Sequence, residues 1–221
     1  MLRTLLALTL LTLLILSCTA APPDARNEPG KFDYYVLSLS WSPQFCNGEA
    51  GQRSSSDLQC AQGRQFGFVA HGLWPQYERG YPEECTTAPP PSRAIIDKML
   101  DIMPAPGLIR HEWSKHGTCD GTTAATYFGK VRAAYAKVQI PNDYKQPLRQ
   151  VMVAPQDLKA KLVQANGPAS AKSFAILCGG NGGRFLSEVR VCFDRNLGYR
   201  ACSTEVRDQC RVPQMIMPPV R

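Results

Sequence analysis

Eight cysteines behind an apolar leader constrain this chain more than any other feature. They are Cys46, Cys60, Cys85, Cys119, Cys178, Cys192, Cys202 and Cys210; a ninth, Cys18, falls inside the leader. Arg3 gives the leader a basic start, Leu5 to Leu16 is apolar except for small residues, and Ser17-Cys18-Thr19-Ala20-Ala21 offers a small-residue cleavage region. The apolar run is too short for a transmembrane helix. Residues 1–20 are therefore expected to be a signal peptide and 21–31 a flexible lead-in. Leu14-Ile15-Leu16-Ser17-Cys18 also matches a lipoprotein signal, and a lipidated Cys18 would be the chain's one route to a membrane. An even set of cysteines behind an export signal predicts disulfides made in an oxidising compartment, periplasmic or extracellular. No C-x-x-C pair occurs, which disfavours zinc. Spacing alone leaves the pairing open.

Beyond the leader, the 221-residue chain has the length and mixture, 44% hydrophobic and 19% charged, of one globular domain over residues 32–221. Phe32 to Trp41 reads as a buried strand, residues 47–64 as a polar Gly/Ser loop, and Phe66 to Ala70 as a short strand that delivers His71 at its end. A proline cluster makes 80–92 a loop. Ser92 can cap a helix reaching about Met103. Further helices are expected over 111–117, 124–138 and 155–164, then strands over 173–178 and 185–193 joined by a glycine turn. Strands, then helices, then strands predict an α+β fold: a mainly antiparallel central sheet flanked by several helices and stabilised by disulfides. The net charge of +7 suits a polyanionic partner.

The three histidines of the chain lie in two short segments, HGLWPQ (71–76) and HEWSKHGTC (111–119). Histidine is the side chain suited to proton transfer near neutrality. On a helix with His111 at zero, Lys115 falls at about 40°, Glu112 at about 100° and His116 at about 140°. A base, a carboxylate and two cationic groups then share one arc, with Trp113 opposite. A solvated face would give the same wheel, but this composition is what a phosphate-cleaving site requires. Metal binding is the rival reading, with Glu112, His116 and His71 as ligands. Lys115 stands where H-E-x-x-H needs its second histidine, and its ammonium would repel a dication, so no metal or other cofactor is expected. No G-x-S-x-G occurs, and oxidised cysteines cannot serve as nucleophiles.

At these two segments the sequence resembles the ribonuclease T2 family. The likeness extends to FDYYVLSLSWSPQFC (32–46) and YPEEC (81–85), and looks closest to bacterial periplasmic members. The resemblance implies a metal-independent endonuclease acting on single-stranded RNA, through 2′,3′-cyclic phosphates to 3′-phosphates, and working as a monomer without an obligate protein partner. It makes His116 the general base and His71 the general acid, with Glu112 and Lys115 steadying the phosphorane and His111 holding phosphate. It also implies the pairs Cys46–Cys60, Cys85–Cys119, Cys178–Cys210 and Cys192–Cys202, the second of which would help keep the histidines in register. DNA, lacking the 2′-hydroxyl that supplies the nucleophile, is not expected to be cut. Trp74, Tyr77, Tyr81 and Phe45 are candidates for stacking on bases, with core packing the alternative for Trp74. Gln76 stands where certain relatives have Asp and Ser40 where others have Gln, so the resemblance implies low base specificity.

Overall fold

The computed structural model describes residues 27–53, 57–61, 63 and 65–220; the leader and Cys18 lie outside the described residues. In chain order the elements are β1 (Tyr34–Trp41), α1 (Ser42–Asn47), α2 (Glu49–Arg53), α3 (Asp57–Cys60), β2 (Phe68–Gln76), α4 (Arg93–Met99) and α5 (Pro106–Lys115). They continue with α6 (Ala124–Lys137), α7 (Asn142–Lys145), β3 (Val151–Val153), α8 (Pro155–Asn166), β4 (Phe174–Gly179), β5 (Phe185–Phe193) and β6 (Met215–Met217).

The aromatic and β-branched run after Asp33 forms the inner strand β1, flanked antiparallel by β2 on one edge and β5 on the other. β4 extends the sheet antiparallel beyond β5, and the short antiparallel pair β3–β6 joins through a single parallel bridge, Phe185 to Ile216. The mainly antiparallel α+β architecture is as the chain's pattern predicted.

Alternation along β1 separates two faces. Tyr35, Leu37, Leu39 and Trp41 enter the main core, where they meet Ile96 of α4, Ile109 and Trp113 of α5, Phe128 of α6 and Leu158 of α8. Each such fully buried side chain stabilises the fold by about 1.5–3 kcal/mol. The opposite face starts apolar, with Tyr34 and Val36 beside Ala175, Leu177 and Cys192, and then turns polar at Ser38 and Ser40. In register with these serines stand Gly72 of β2 and Arg190 and Glu188 of β5. One face of the sheet is thus spent on the helices, leaving the other to carry chemistry.

Local signals explain the helices. Ser92 caps α4 by accepting from Ile95 N, and Thr123 caps α6 by accepting from Thr126 N. Prolines occupy the first turns of α5 and α8, where a missing N–H costs nothing, and α8 ends at Gly167 with φ 81°. α5 begins at Pro106 rather than at 111 and ends at Lys115, so His116 is its C-cap and Gly117–Asp120 follows as a 3-10 turn. The span read as a loop over 47–64 holds the short helices α2 and α3, and α4 stops at Met99, short of Met103.

Four disulfides join Cys46–Cys60, Cys85–Cys119, Cys178–Cys210 and Cys192–Cys202, the set the resemblance implied. Cys85–Cys119 closes a separation of 34 residues, which constrains the unfolded chain by about 3–4 kcal/mol in the chain-entropy picture. It ties the loop bearing Tyr81 and Glu83 to the turn after His116, helped by Glu84 N donating to Lys115 O (2.8 Å). Residues 27–31 of the expected lead-in dock on the same place: Gly30 N donates to Cys119 O (2.9 Å), and Asn27 Oδ1 accepts from Glu83 N (2.9 Å).

Candidate active site

His71 does not stand at a strand end. β2 runs on through Gln76, so the whole HGLWPQ segment is strand, and His71 occupies a bulge where Ser38 pairs with Gly72 but Leu39 pairs with Ala70. A bulge puts two consecutive residues on one face and re-aims the extra side chain. Here both His71 and Gly72 face away from the main core. Gly72 is required: a Cβ there would collide with the Glu112 carboxylate and lie 2.6 Å from Trp74 Nε1. Gly117 plays the matching part beside His116, where a Cβ would meet Trp113 and Tyr127 at 2.5 and 2.9 Å.

α5 packs against β2, the edge strand, and sends Ile109 and Trp113 into the core. Its other side brings Glu112 over Gly72. Glu112, 1% exposed, accepts from Trp74 Nε1 (2.7 Å), and its second oxygen lies 3.5 Å from His71 Nε2. The Trp74 ring stands between the two histidines, 5.4 Å from the His71 ring and 5.5 Å from that of His116. Tyr81, largely exposed, reaches within 6.0 Å of His116 from the Cys85 loop. His116 is buried, and its Nδ1 has no hydrogen-bond partner among the described residues.

The two imidazoles are biased in opposite directions. Burial works against a charge on His71, but the hydrogen bond to Glu188 and the charges of Glu112 and Glu188 outweigh it and hold the ring above its ordinary range. Burial, together with the positive charges of Lys115, His111 and His71, pushes His116 down to about 3. Burial raises Glu112 to about 7, against the pull of His71 and the Trp74 hydrogen bond. The site therefore favours a proton on His71 and disfavours one on His116, with a carboxyl able to take either form near neutrality.

A model of the ribonuclease T2 family matches residues 32–202. The chain belongs to the ribonuclease T2 family. A ribonuclease of Aeromonas hydrophila is 33% identical over 228 residues, covering 96% of this chain and 97% of the relative. Ribonuclease I of Escherichia coli (strain K12) is 27% identical, with 84% of each chain covered. RNase NT, solved in complex with 5′-AMP, superposes with a TM-score of 0.66 at 20% identity over 85% of this chain and 98% of that one, a likeness of fold. The protein is a T2-family endoribonuclease, and its substrate is RNA.

In this T2 ribonuclease the remaining expected residues fall in distinct places. His111 is exposed and lines a cleft of about 880 Å³ beside His71, whose lining does not include Trp74. Phe45 lines that cleft too, with Gln44, Gln59, Val69 and Leu108. Lys115 turns toward the Cys85 loop and pairs with Glu83 (3.3 Å). Tyr77 is drawn away from the histidines: it is half-buried and accepts from Asn27 N. Trp74 has a use beyond stacking or plain packing, since its N–H holds Glu112 and its ring separates the histidines. Two residues that sequence reasoning passed over complete the site. Glu188 lies 3.3 Å from His71 Nδ1, and Arg190 Nε donates to Glu188 (3.1 Å) with its guanidinium 5.1 Å from the Trp74 ring centre. Their signal is two charges at i and i+2 in the run FLSEVRVCF, which is apolar elsewhere except at Ser187.

Proposed function

We propose that the enzyme cleaves single-stranded RNA without a metal, by attack of the ribose 2′-hydroxyl on the adjacent phosphorus. His116, neutral, takes the proton of the 2′-hydroxyl; His71, protonated, gives one to the departing 5′-oxygen. The single observation that carries this reading is the opposite bias of two histidines packed on one Trp74 ring. Glu112, its carboxyl raised by burial, can in its protonated form donate to a non-bridging oxygen as charge gathers there. Lys115, exchanging Glu83 for the phosphate, adds positive charge, and His111 at the cleft can hold a phosphate oxygen. The first product is a 2′,3′-cyclic phosphate. Water then opens it with the two histidines in exchanged roles, leaving a 3′-phosphate. The nucleophile belongs to the substrate, so DNA is left intact.

The cleft beside His71 suits one nucleoside of the substrate. Phe45, Val69 and Leu108 offer apolar walls, and the amide of Gln44 can donate or accept. An amide that can satisfy different base edges supports low base specificity. The apolar leader and four disulfides support export to an oxidising compartment, with the mature chain acting as a monomer.

The reading is tested with the oxidised mature protein on RNA and single-stranded DNA, with and without EDTA, identifying the ends formed. Cyclic phosphate and then 3′-phosphate ends from RNA, unaffected by EDTA, are expected. Loss of activity in EDTA would sink the metal-free mechanism, and RNA binding without cleavage over a wide pH range would leave an idle binding protein.

A further inference from the structure

His71 is bracketed by two carboxylates. Glu112, from α5, lies 3.5 Å from Nε2, and Glu188, from β5, lies 3.3 Å from Nδ1. Glu188 is itself pinned, since its other oxygen accepts from Arg190 Nε at 3.1 Å. The Arg190 guanidinium lies over Trp74, and the Trp74 N–H holds Glu112. Five side chains thus close a ring: His71, Glu188, Arg190, Trp74, Glu112 and back to His71. A plain ion pair between neighbours on one strand face would turn toward solvent. This pair keeps its side chains only 17% and 26% exposed and aims the carboxylate at the bulged histidine.

We propose that Glu188, clamped by Arg190, is a positioning residue for His71: it accepts the Nδ1–H bond and so keeps the deliverable proton on Nε2, facing Glu112. An imidazole in a bulge, 34% exposed, has room to turn over and exchange its nitrogens. A fixed acceptor on Nδ1 removes that freedom and stabilises the protonated ring. The charged and titratable groups around His71 are Glu112, His116, His111 and Arg110 at or beside α5, Glu188 and Arg190 on β5, and Glu49 across the cleft on α2. The proposal rests on His71 being the general acid.

The experiment compares two substrates. A dinucleoside phosphate such as UpA has an alkoxide leaving group that needs a proton; uridine 3′-(4-nitrophenyl phosphate) has one that leaves without it. Glu188→Gln is expected to lower kcat/KM on UpA about ten- to a hundredfold, and on the aryl ester about threefold or less. The alkaline limb of its UpA pH profile should move to lower pH by about half to one unit, and Glu188→Asp should restore part of the rate. Arg190→Gln, which removes the clamp alone, should show the same leaving-group pattern with a loss of about three- to tenfold. Equal losses on both substrates, or an unmoved alkaline limb, would overturn the positioning role. His71→Ala separates the underlying reading: if it too loses equally on both substrates, His71 is not the general acid. If it shows the leaving-group pattern and Glu188→Gln does not, the positioning role alone fails.

Discussion

Two carboxylates are buried almost equally in this molecule, Glu112 at 1% exposure and Asp120 at 3%, only eight residues apart, and they are treated in opposite ways. Asp120 is surrounded by donors: the Tyr35 hydroxyl, the Thr122 hydroxyl, and Lys130 Nζ at 2.9 Å from both oxygens. Its charge is matched and its lone pairs are filled. Glu112 has one strong donor, Trp74 Nε1, and an imidazole at 3.5 Å. Burial then dominates and lifts it to about 7. His116, next to the same ring, has a buried nitrogen with no partner among the described residues. A buried polar group that is fully satisfied makes structure; one left partly unsatisfied keeps free energy that a substrate can release.

The largest effects should come from the unsatisfied side. His71→Ala and His116→Ala are each expected to lower kcat/KM on RNA by about 10³–10⁴-fold, with the fold retained by circular dichroism. A variant near full activity would break the acid–base assignment. Glu112→Gln follows, at about 10²-fold. It also carries a stability test. A carboxyl raised in the folded state favours folding fully below its unfolded value near 4.5, and that contribution is lost as pH rises through about 7. His116, held down to about 3, works the other way over most of that window, so the test is the difference in stability between wild type and Glu112→Gln, which should fall as pH rises between those values, read from denaturant midpoints at several pH values. A difference that stays constant over that window would contradict the partly satisfied state of Glu112.

Asp120→Asn tests the satisfied side. It leaves Lys130, 29% exposed, facing a neutral amide in a buried network. The expected cost is about 2–3 kcal/mol of stability, below the figure for a fully buried pair because Lys130 keeps some water. Activity per folded molecule should change less than about threefold, with the pH profile unmoved. A displaced alkaline limb would mean that the two clusters are coupled through the His116–Asp120 turn.

The clustering of His71, Glu112 and His116 was legible because two short segments carry the chain's histidines and helical spacing puts Glu112 and His116 on one arc. The frame was legible too: β1, β4, β5, α6 and α8 announce themselves by periodicity and caps. The bulge at His71 was not, since it exists only in the register of β2 against β1. Glu188 was hidden for a similar reason. It lies 117 residues from the histidine it meets, and the charge pair it forms with Arg190 in the strand carries no local mark of so distant a partner. The short helices α2 and α3 were masked by a polar, glycine- and serine-rich composition, and β3 and β6, three residues each, are too short for alternation to show. Pro106 did mark the true start of α5, five residues before the segment in which the histidines drew attention.

The smallest and sharpest test of the contrast concerns the one strong donor that Glu112 has. Trp74→Phe keeps an aromatic ring between the histidines and under Arg190 but removes the N–H that reaches Glu112 at 2.7 Å. That bond favours the ionised carboxyl, so its loss should raise Glu112 further. The consequence has a pH signature. Near pH 4 the carboxyl is protonated in both proteins, and the variant should be close to wild type. Near pH 8 the wild-type carboxylate keeps its hydrogen bond and the variant's does not, and a charged hydrogen bond of this kind is worth about 1–2 kcal/mol. The stability gap should therefore open only as pH rises through about 7, measured as denaturant midpoints at constant salt. A gap of equal size at both pH values would mean that Trp74 acts by packing alone, and that Glu112 owes its state entirely to burial.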